Sequence, residues 1–223
     1  MSGRLAAPLL VAAAVSALLS ACTGAPPQIV SVEVSLEYVD DLDLNRRYEQ
    51  LTLFALVRDE DGFGDISEFY LIHDEAELYW RFDAQSWTHR RVTGENWVGF
   101  SGLSMADWGE LPRGQYRTVV IDRAGEHDER TVSIDAPRLS SVHDQLPQLA
   151  PDEQSITVPE AGASLLVVSH DDDSGETSVT LERTLAGGRY PLDGLVHSNS
   201  VGRSYLYVPL GSYYGSLTGP IRR

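Results

Sequence analysis

Between Val30 and Tyr38 the apolar residues Val30, Val32, Val34, Leu36 and Tyr38 alternate with Ser31, Glu33, Ser35 and Glu37. A period of two sends successive side chains to opposite faces of an extended chain, so this segment reads as a strand with one wet face. The pattern recurs along the chain, and no amphipathic helix of normal length interrupts it. Leu51 to Val57 is almost wholly apolar and reads as a central strand. Ile66 to Ile72 is a third, and Leu78, Trp80 and Phe82 line one face of a fourth. Strand-like pieces follow at Trp87–Val92 and Trp97–Phe100, and Tyr116–Ile121 and Thr131–Ile134 flank the turn Asp122-Arg123-Ala124-Gly125. Seven or so short strands in about 105 residues predict an all-β fold, a sandwich.

Within this run, Leu111-Pro112-Arg113-Gly114-Gln115-Tyr116 is the most specific local pattern. It resembles the turn before the sixth strand of fibronectin type III and related immunoglobulin-like domains. There a Pro four residues before a Tyr, and a small turn residue two before it, build the tyrosine corner. The Leu stands one place nearer the Tyr than in the usual pattern. The resemblance implies that the Tyr116 hydroxyl bonds back to upstream backbone, and that 29–135 is an immunoglobulin-like β-sandwich. Residues 136–151 carry Pro137, Pro147 and Pro151 among polar residues and read as a connector. Beyond it, Ile156–Val158, Ser164–Ser169, Ser178–Arg183 and Tyr205–Val208 read as strands of a smaller β unit at 152–223, with an acidic turn at Asp171-Asp172-Asp173-Ser174-Gly175. A unit of roughly 70 residues without disulfides is marginal alone, so it is expected to pack on the first.

The N-terminus bears on compartment. Met1–Arg4 carries one positive charge, Leu5–Leu19 is apolar, and Leu19-Ser20-Ala21-Cys22 follows. A charged start, an apolar stretch of about 15 residues and small residues before a cut form the signal-peptide pattern. The stretch is shorter than the ~20 apolar residues of a membrane span. Leu-Ser-Ala-Cys also resembles the bacterial lipobox. Residues 1–21 are therefore expected to be a lipoprotein signal peptide, Cys22 the lipidated first residue, and 22–28, with Pro26-Pro27, a short extended tether. Six residues reach at most about 20 Å at ~3.4 Å each. Cys22 is the only cysteine, so no internal disulfide exists and packing alone must hold the fold. The expected location is the cell membrane or outer membrane, lipid-anchored, on the periplasmic or outer surface.

Charge narrows the partners. The chain has 17 Lys plus Arg, all of them Arg, against 33 Asp plus Glu. Nucleic acid needs a basic footprint, which is missing. No polybasic cluster exists for adhesion to anionic lipid, which leaves the acyl chains at Cys22 as the membrane contact.

Residues that could carry chemistry are few. Asp59, Asp61 and Asp65 share a turn with Gly62 and Gly64. Counted as an EF-hand loop, Asp59 and Asp61 fill the first and third positions and Gly64 the obligatory glycine. Phe63 stands at the fifth position and Tyr70 at the twelfth, where ligands belong. The loop thus reads as an acidic β-turn, the weak metal candidate of a chain for which no cofactor is expected, and calcium is expected to leave its melting temperature unchanged. Asp171, Asp172, Asp173 and Glu176 read as a solvated turn. His73, His89, His127, His143, His170 and His197 show no short metal-ligand spacing, and no Gly-x-Ser-x-Gly elbow occurs. No catalytic set emerges, and the chain is expected not to be an enzyme. Trp80, Trp87, Trp97 and Trp108 cluster in sequence. Trp80 shares a face with Leu78 and Phe82 and reads as core, whereas Trp87, Trp97 and Trp108 are candidates for stacking sugars.

The loose lipobox, Val57-Arg58-Asp59-Glu60-Asp61-Gly62 leading into Ile66, Trp97-Val98-Gly99, Leu111–Tyr116, Ile121-Asp122-Arg123-Ala124-Gly125-Glu126 and Thr218-Gly219-Pro220 together carry a wider likeness. Through them the mature chain as a whole resembles a set of spirochaete (Treponema-like) envelope lipoproteins. The resemblance implies an envelope lipoprotein and brings no activity and no functional residues with it. The expected function is a non-enzymatic, membrane-anchored binding or structural module of the cell envelope, with an envelope protein or glycan as partner. A carbohydrate-binding lipoprotein is the alternative.

Overall fold

The computed structural model describes residues 24–170, 177–196 and 202–222. Residues 1–21, expected from sequence to be a signal peptide, together with Cys22, the acidic stretch Asp171–Glu176 and His197, lie outside the described residues.

Strands β1 (Gln28–Asp41) and β2 (Arg46–Arg58) form a long antiparallel hairpin with Val34 opposite Leu53 and Leu36 opposite Leu51. At its turn the Asp41 carboxylate accepts the N–H groups of Asp43 and Leu44 at 3.0 and 2.9 Å, the local bond that makes Asp a turn residue. β2 also pairs with β6 (Glu95–Leu103), and β6 with β5 (Thr88–Val92). Thr93 and Gly94, with φ of 50° and 88°, make the two-residue turn whose twist matches the flanking strands.

Facing them is a four-stranded sheet in the order β4 (Leu78–Asp83), β3 (Ile66–His73), β7 (Gly114–Asp122), β8 (His127–Ile134). The order β1-β2-β6-β5 against β4-β3-β7-β8 is that of an immunoglobulin-like sandwich. Leu36, Tyr38, Leu51, Leu53 and Ala55 from one sheet meet Phe69, Leu71, Tyr116 and Val120 from the other, all fully buried. Phe82 stacks on Phe100 at 4.7 Å. Each such large apolar side chain contributes about 1.5–3 kcal/mol when withdrawn from water.

The remaining strands extend the first sheet. β11 (Ala163–His170), β12 (Thr177–Leu185), β14 (Gly202–Pro209) and β15 (Tyr214–Ile221) join it where β15 runs parallel to β1, with Leu36 beside Tyr214 and Asp41 beside Gly219. One eight-stranded sheet results, in the order β12-β11-β14-β15-β1-β2-β6-β5. A three-stranded sheet of β9 (Gln148–Leu149), β10 (Ser155–Val158) and β13 (Gly188–Pro191) completes the C-terminal region. Its core is separate, built on Ile156, Leu165, Leu206, Val208 and Ile221. The intervening segment forms one short helix, α1 (Leu139–Val142), and inserts Val142 and Leu146 into the core of the sandwich.

Candidate functional site

Buried polar groups collect at the two ends of the sandwich. At one end Tyr116 donates its hydroxyl to the Pro112 carbonyl at 2.7 Å, closing the tyrosine corner. Gly114 before it has φ +119°, a backbone state that side chains disfavour. Glu49, fully buried, receives Arg113 in bidentate fashion: Nη2 donates to Oε1 at 2.6 Å and Nη1 to Oε2 at 2.8 Å. The N–H groups of Leu111 and Leu139 donate to the same carboxylate at 2.8 and 3.2 Å. The guanidinium also donates to the carbonyls of Leu111, Ala136 and Pro137. His73, buried beside the Tyr116 ring, accepts the Ala76 N–H at Nδ1 (3.0 Å), which leaves Nε2–H to donate to the Arg113 carbonyl at 3.0 Å. Tyr38 donates to the Pro137 carbonyl, and burial pushes its phenol up to about 12. These groups saturate one another and form a closed structural network.

The other end is acidic and open. Asp59 and Asp65 come from the β2–β3 turn, and Asp122 ends β7. The register that sets Ile66 opposite Asp122 brings the two turns together. One carboxylate oxygen from each residue lies within 4.8 Å of one from each of the others. Asp122 is 2 % exposed; its Oδ1 accepts the Glu126 N–H at 2.8 Å, while its Oδ2 is buried and accepts nothing. Asp59 accepts the Asp61 N–H at Oδ1 (2.8 Å), and its Oδ2 is likewise buried without a donor. Burial raises the Asp59 pKa. The Asp61 amide offsets this in part, and the charges of Asp61, Asp65 and Asp122 add to the rise. Asp61 is exposed, and its carboxylate accepts the Ala25 N–H at 2.8 Å. Two of the three acids of the sequence-identified turn thus meet a third, Asp122, that a linear loop template does not contain.

A third feature lies on the outer face of the large sheet. The sheet curls so that residues from β12 across to β6 line one open groove of about 580 Å³. Leu166, Val168, Val179 and Leu217 form its apolar part, with Tyr207 and Glu37 beside them. The Tyr207 ring lies across Gly215, where a Cβ would stand 2.6 Å from the phenolic oxygen, so only glycine leaves the ring its place. Glu37 accepts the Ser35 hydroxyl at Oε1 (2.6 Å), while Oε2 is buried with no donor. Burial raises its pKa, against the lowering effect of Ser35. Val179 is 62 % exposed.

The tryptophans do not share a face. Trp87 is half-buried and packs toward Phe63 at the acidic end, ring centroids 6.4 Å apart. Trp97 sits on β6 between Leu56 and Arg90. Trp108 is at the opposite end, edge-on to Tyr48 at 4.7 Å, with the Arg46 guanidinium 5.2 Å above its ring. Trp80 is half-buried against the core. His89 stacks on Phe63 and meets Asn96, and His143 meets the Arg47 guanidinium. No family model matches the chain, and no curated protein matches it.

Proposed function

We propose that this chain is a non-enzymatic, lipid-anchored module of the bacterial cell envelope that binds an envelope protein through the groove of its eight-stranded sheet. The observation that carries this reading is the buried, unpartnered Oε2 of Glu37 beside the half-buried Leu166, Val168 and Leu217 and the exposed Val179. A carboxylate oxygen withdrawn from water without a donor is costly even when its twin accepts one, as from Ser35 here, and an incoming Arg or Lys relieves that cost. A net charge of −16 steers the encounter toward such a partner. The partner therefore presents a basic side chain flanked by apolar ones. The anchor rests on the lipobox resemblance at Cys22, and the spirochaete lipoprotein resemblance supports the same setting.

The test immobilises the chain from residue 23 and challenges it with envelope extract. Capture of a protein should slow as salt rises and the Debye length shrinks from ~30 to ~8 Å, and Glu37→Gln should weaken it at every salt concentration. Capture indifferent to salt and to Glu37→Gln, but lost in Trp87→Ala or Trp108→Ala, means a stacked glycan instead. The anchor has its own test: Cys22→Ala should abolish labelling by a radioactive fatty acid, and equal labelling of both proteins refutes it.

A further inference from the structure

We propose that Asp59, Asp65 and Asp122 form a binding site for a hard divalent cation, calcium by its ligand chemistry. Three oxygens no more than 4.8 Å apart leave a point within about 2.8 Å of all of them, a few tenths of an ångström beyond the 2.3–2.6 Å at which calcium binds oxygen. Magnesium demands a tight octahedron at about 2.0–2.1 Å and gives up its waters reluctantly, so carboxylates held on two separate turns, one of them buried, suit the more adaptable calcium shell better. A set of carboxylates without His or Cys does not favour zinc or copper.

The second observation is the state of two of these carboxylates. Asp122 is 98 % buried, and its Oδ2, like that of Asp59, receives no hydrogen bond. Among the described residues no Arg or His forms an ion pair with any of the three carboxylates. Buried carboxylates are ordinarily paired or coordinate a metal, and Glu49 in this same chain shows the paired solution in full. A cation there would clamp the β2–β3 turn to the β7–β8 turn, which backbone already links through the Arg123 N–H to the Asp65 carbonyl at 2.9 Å. Through Asp61 and its bond from Ala25 it would also steady the point where the chain enters β1. The sequence-based expectation of no calcium effect considered only the linear loop; Asp122 supplies a ligand from outside it.

The test uses the full mature chain in detergent, stripped with a chelator and titrated calorimetrically with calcium chloride, with magnesium chloride in parallel. A saturable one-site isotherm is expected, with Kd on the order of 10⁻⁴–10⁻³ M as in extracellular calcium modules. The melting temperature should rise by several degrees at ten times Kd. Asp65→Asn and Asp122→Asn should each weaken binding at least tenfold, and Glu37→Gln should leave it unchanged. Asp65 is only half-buried, so its variant keeps the test intact if Asp122→Asn fails to fold. No saturable heat and no melting shift up to 10 mM calcium would overturn the proposal, as would an isotherm that survives in Asp65→Asn.

Discussion

The two ends of the sandwich both bury carboxylate, and they resolve it in opposite ways. At the tyrosine-corner end, Glu49 is matched oxygen by oxygen with Arg113 and two backbone amides. At the other end, Asp59, Asp65 and Asp122 face one another, with oxygens left unpartnered. The same strands run through both ends, so the difference is made by the turns. One turn delivers a guanidinium to an acid; the other delivers acids to an acid. A closed network fixes structure and leaves nothing for a ligand. An open one keeps the structure under strain from like charge and leaves a place for a cation. Glu37, alone in the groove, is a milder case of the open kind.

The contrast breaks most visibly at Arg113. Arg113→Met strips Glu49 of its partner inside the core, and urea denaturation should show a loss of about 3–5 kcal/mol; a loss below 1 kcal/mol would mean that the network is decorative. Tyr116→Phe removes one bond to the Pro112 carbonyl and should cost about 1–3 kcal/mol by the same measurement. At the acidic end the sign reverses. In metal-free buffer Asp122→Asn relieves repulsion while its amide oxygen still accepts the Glu126 N–H, so stability should rise on the order of 1 kcal/mol.

The smallest effect is at Glu37. Its folded pKa stands above the ordinary 4.5, so the folded state favours the neutral form. The stabilisation this group offers is fully present below pH 4.5 and is lost as pH rises through the folded value. Glu37→Gln should therefore be slightly more stable than wild type at pH 7, by a few tenths of a kcal/mol. That gap should close as denaturation is repeated at falling pH down to 4.5.

What the sequence makes legible follows the same division. Tyr116, Pro112 and Gly114 lie within one turn, and the resemblance their pattern carries is enough to expect the corner and an immunoglobulin-like sandwich; the strand order comes from the structure. The strands are legible because alternation is a local property. Glu49 carries a signal that alternation offers: it is in phase with Leu51, Leu53 and Ala55, which marks a buried acid in need of a cation. Its partner Arg113 is 64 residues away, and no local pattern names it. Asp59 and Asp65 are visible as a loop, but Asp122 joins them only through the β3–β7 register. The parallel pairing of β1 with β15 is also hidden. Alternation tells which face of β1 is wet, not which of its edges is taken. In the structure Tyr38, Val39 and Asp40 are consecutive and all buried, so both faces of β1 are covered there, which its alternating sequence does not announce. The groove needs that pairing, so it too lies beyond a linear reading.

The contrast between a closed and an open end is tested most directly by following backbone amide resonances of the isotope-labelled chain from residue 23 during a calcium titration. The account predicts saturable shifts in the two facing turns, at Asp61, Gly62, Asp65, Arg123, Gly125 and Glu126, and at Ala25, which bonds to Asp61, with the amides of Leu111, Arg113 and Gly114 unmoved. Shifts scattered over exposed acids such as Asp74 and Glu129 without saturation, or none at Gly62 and Gly125, would contradict it.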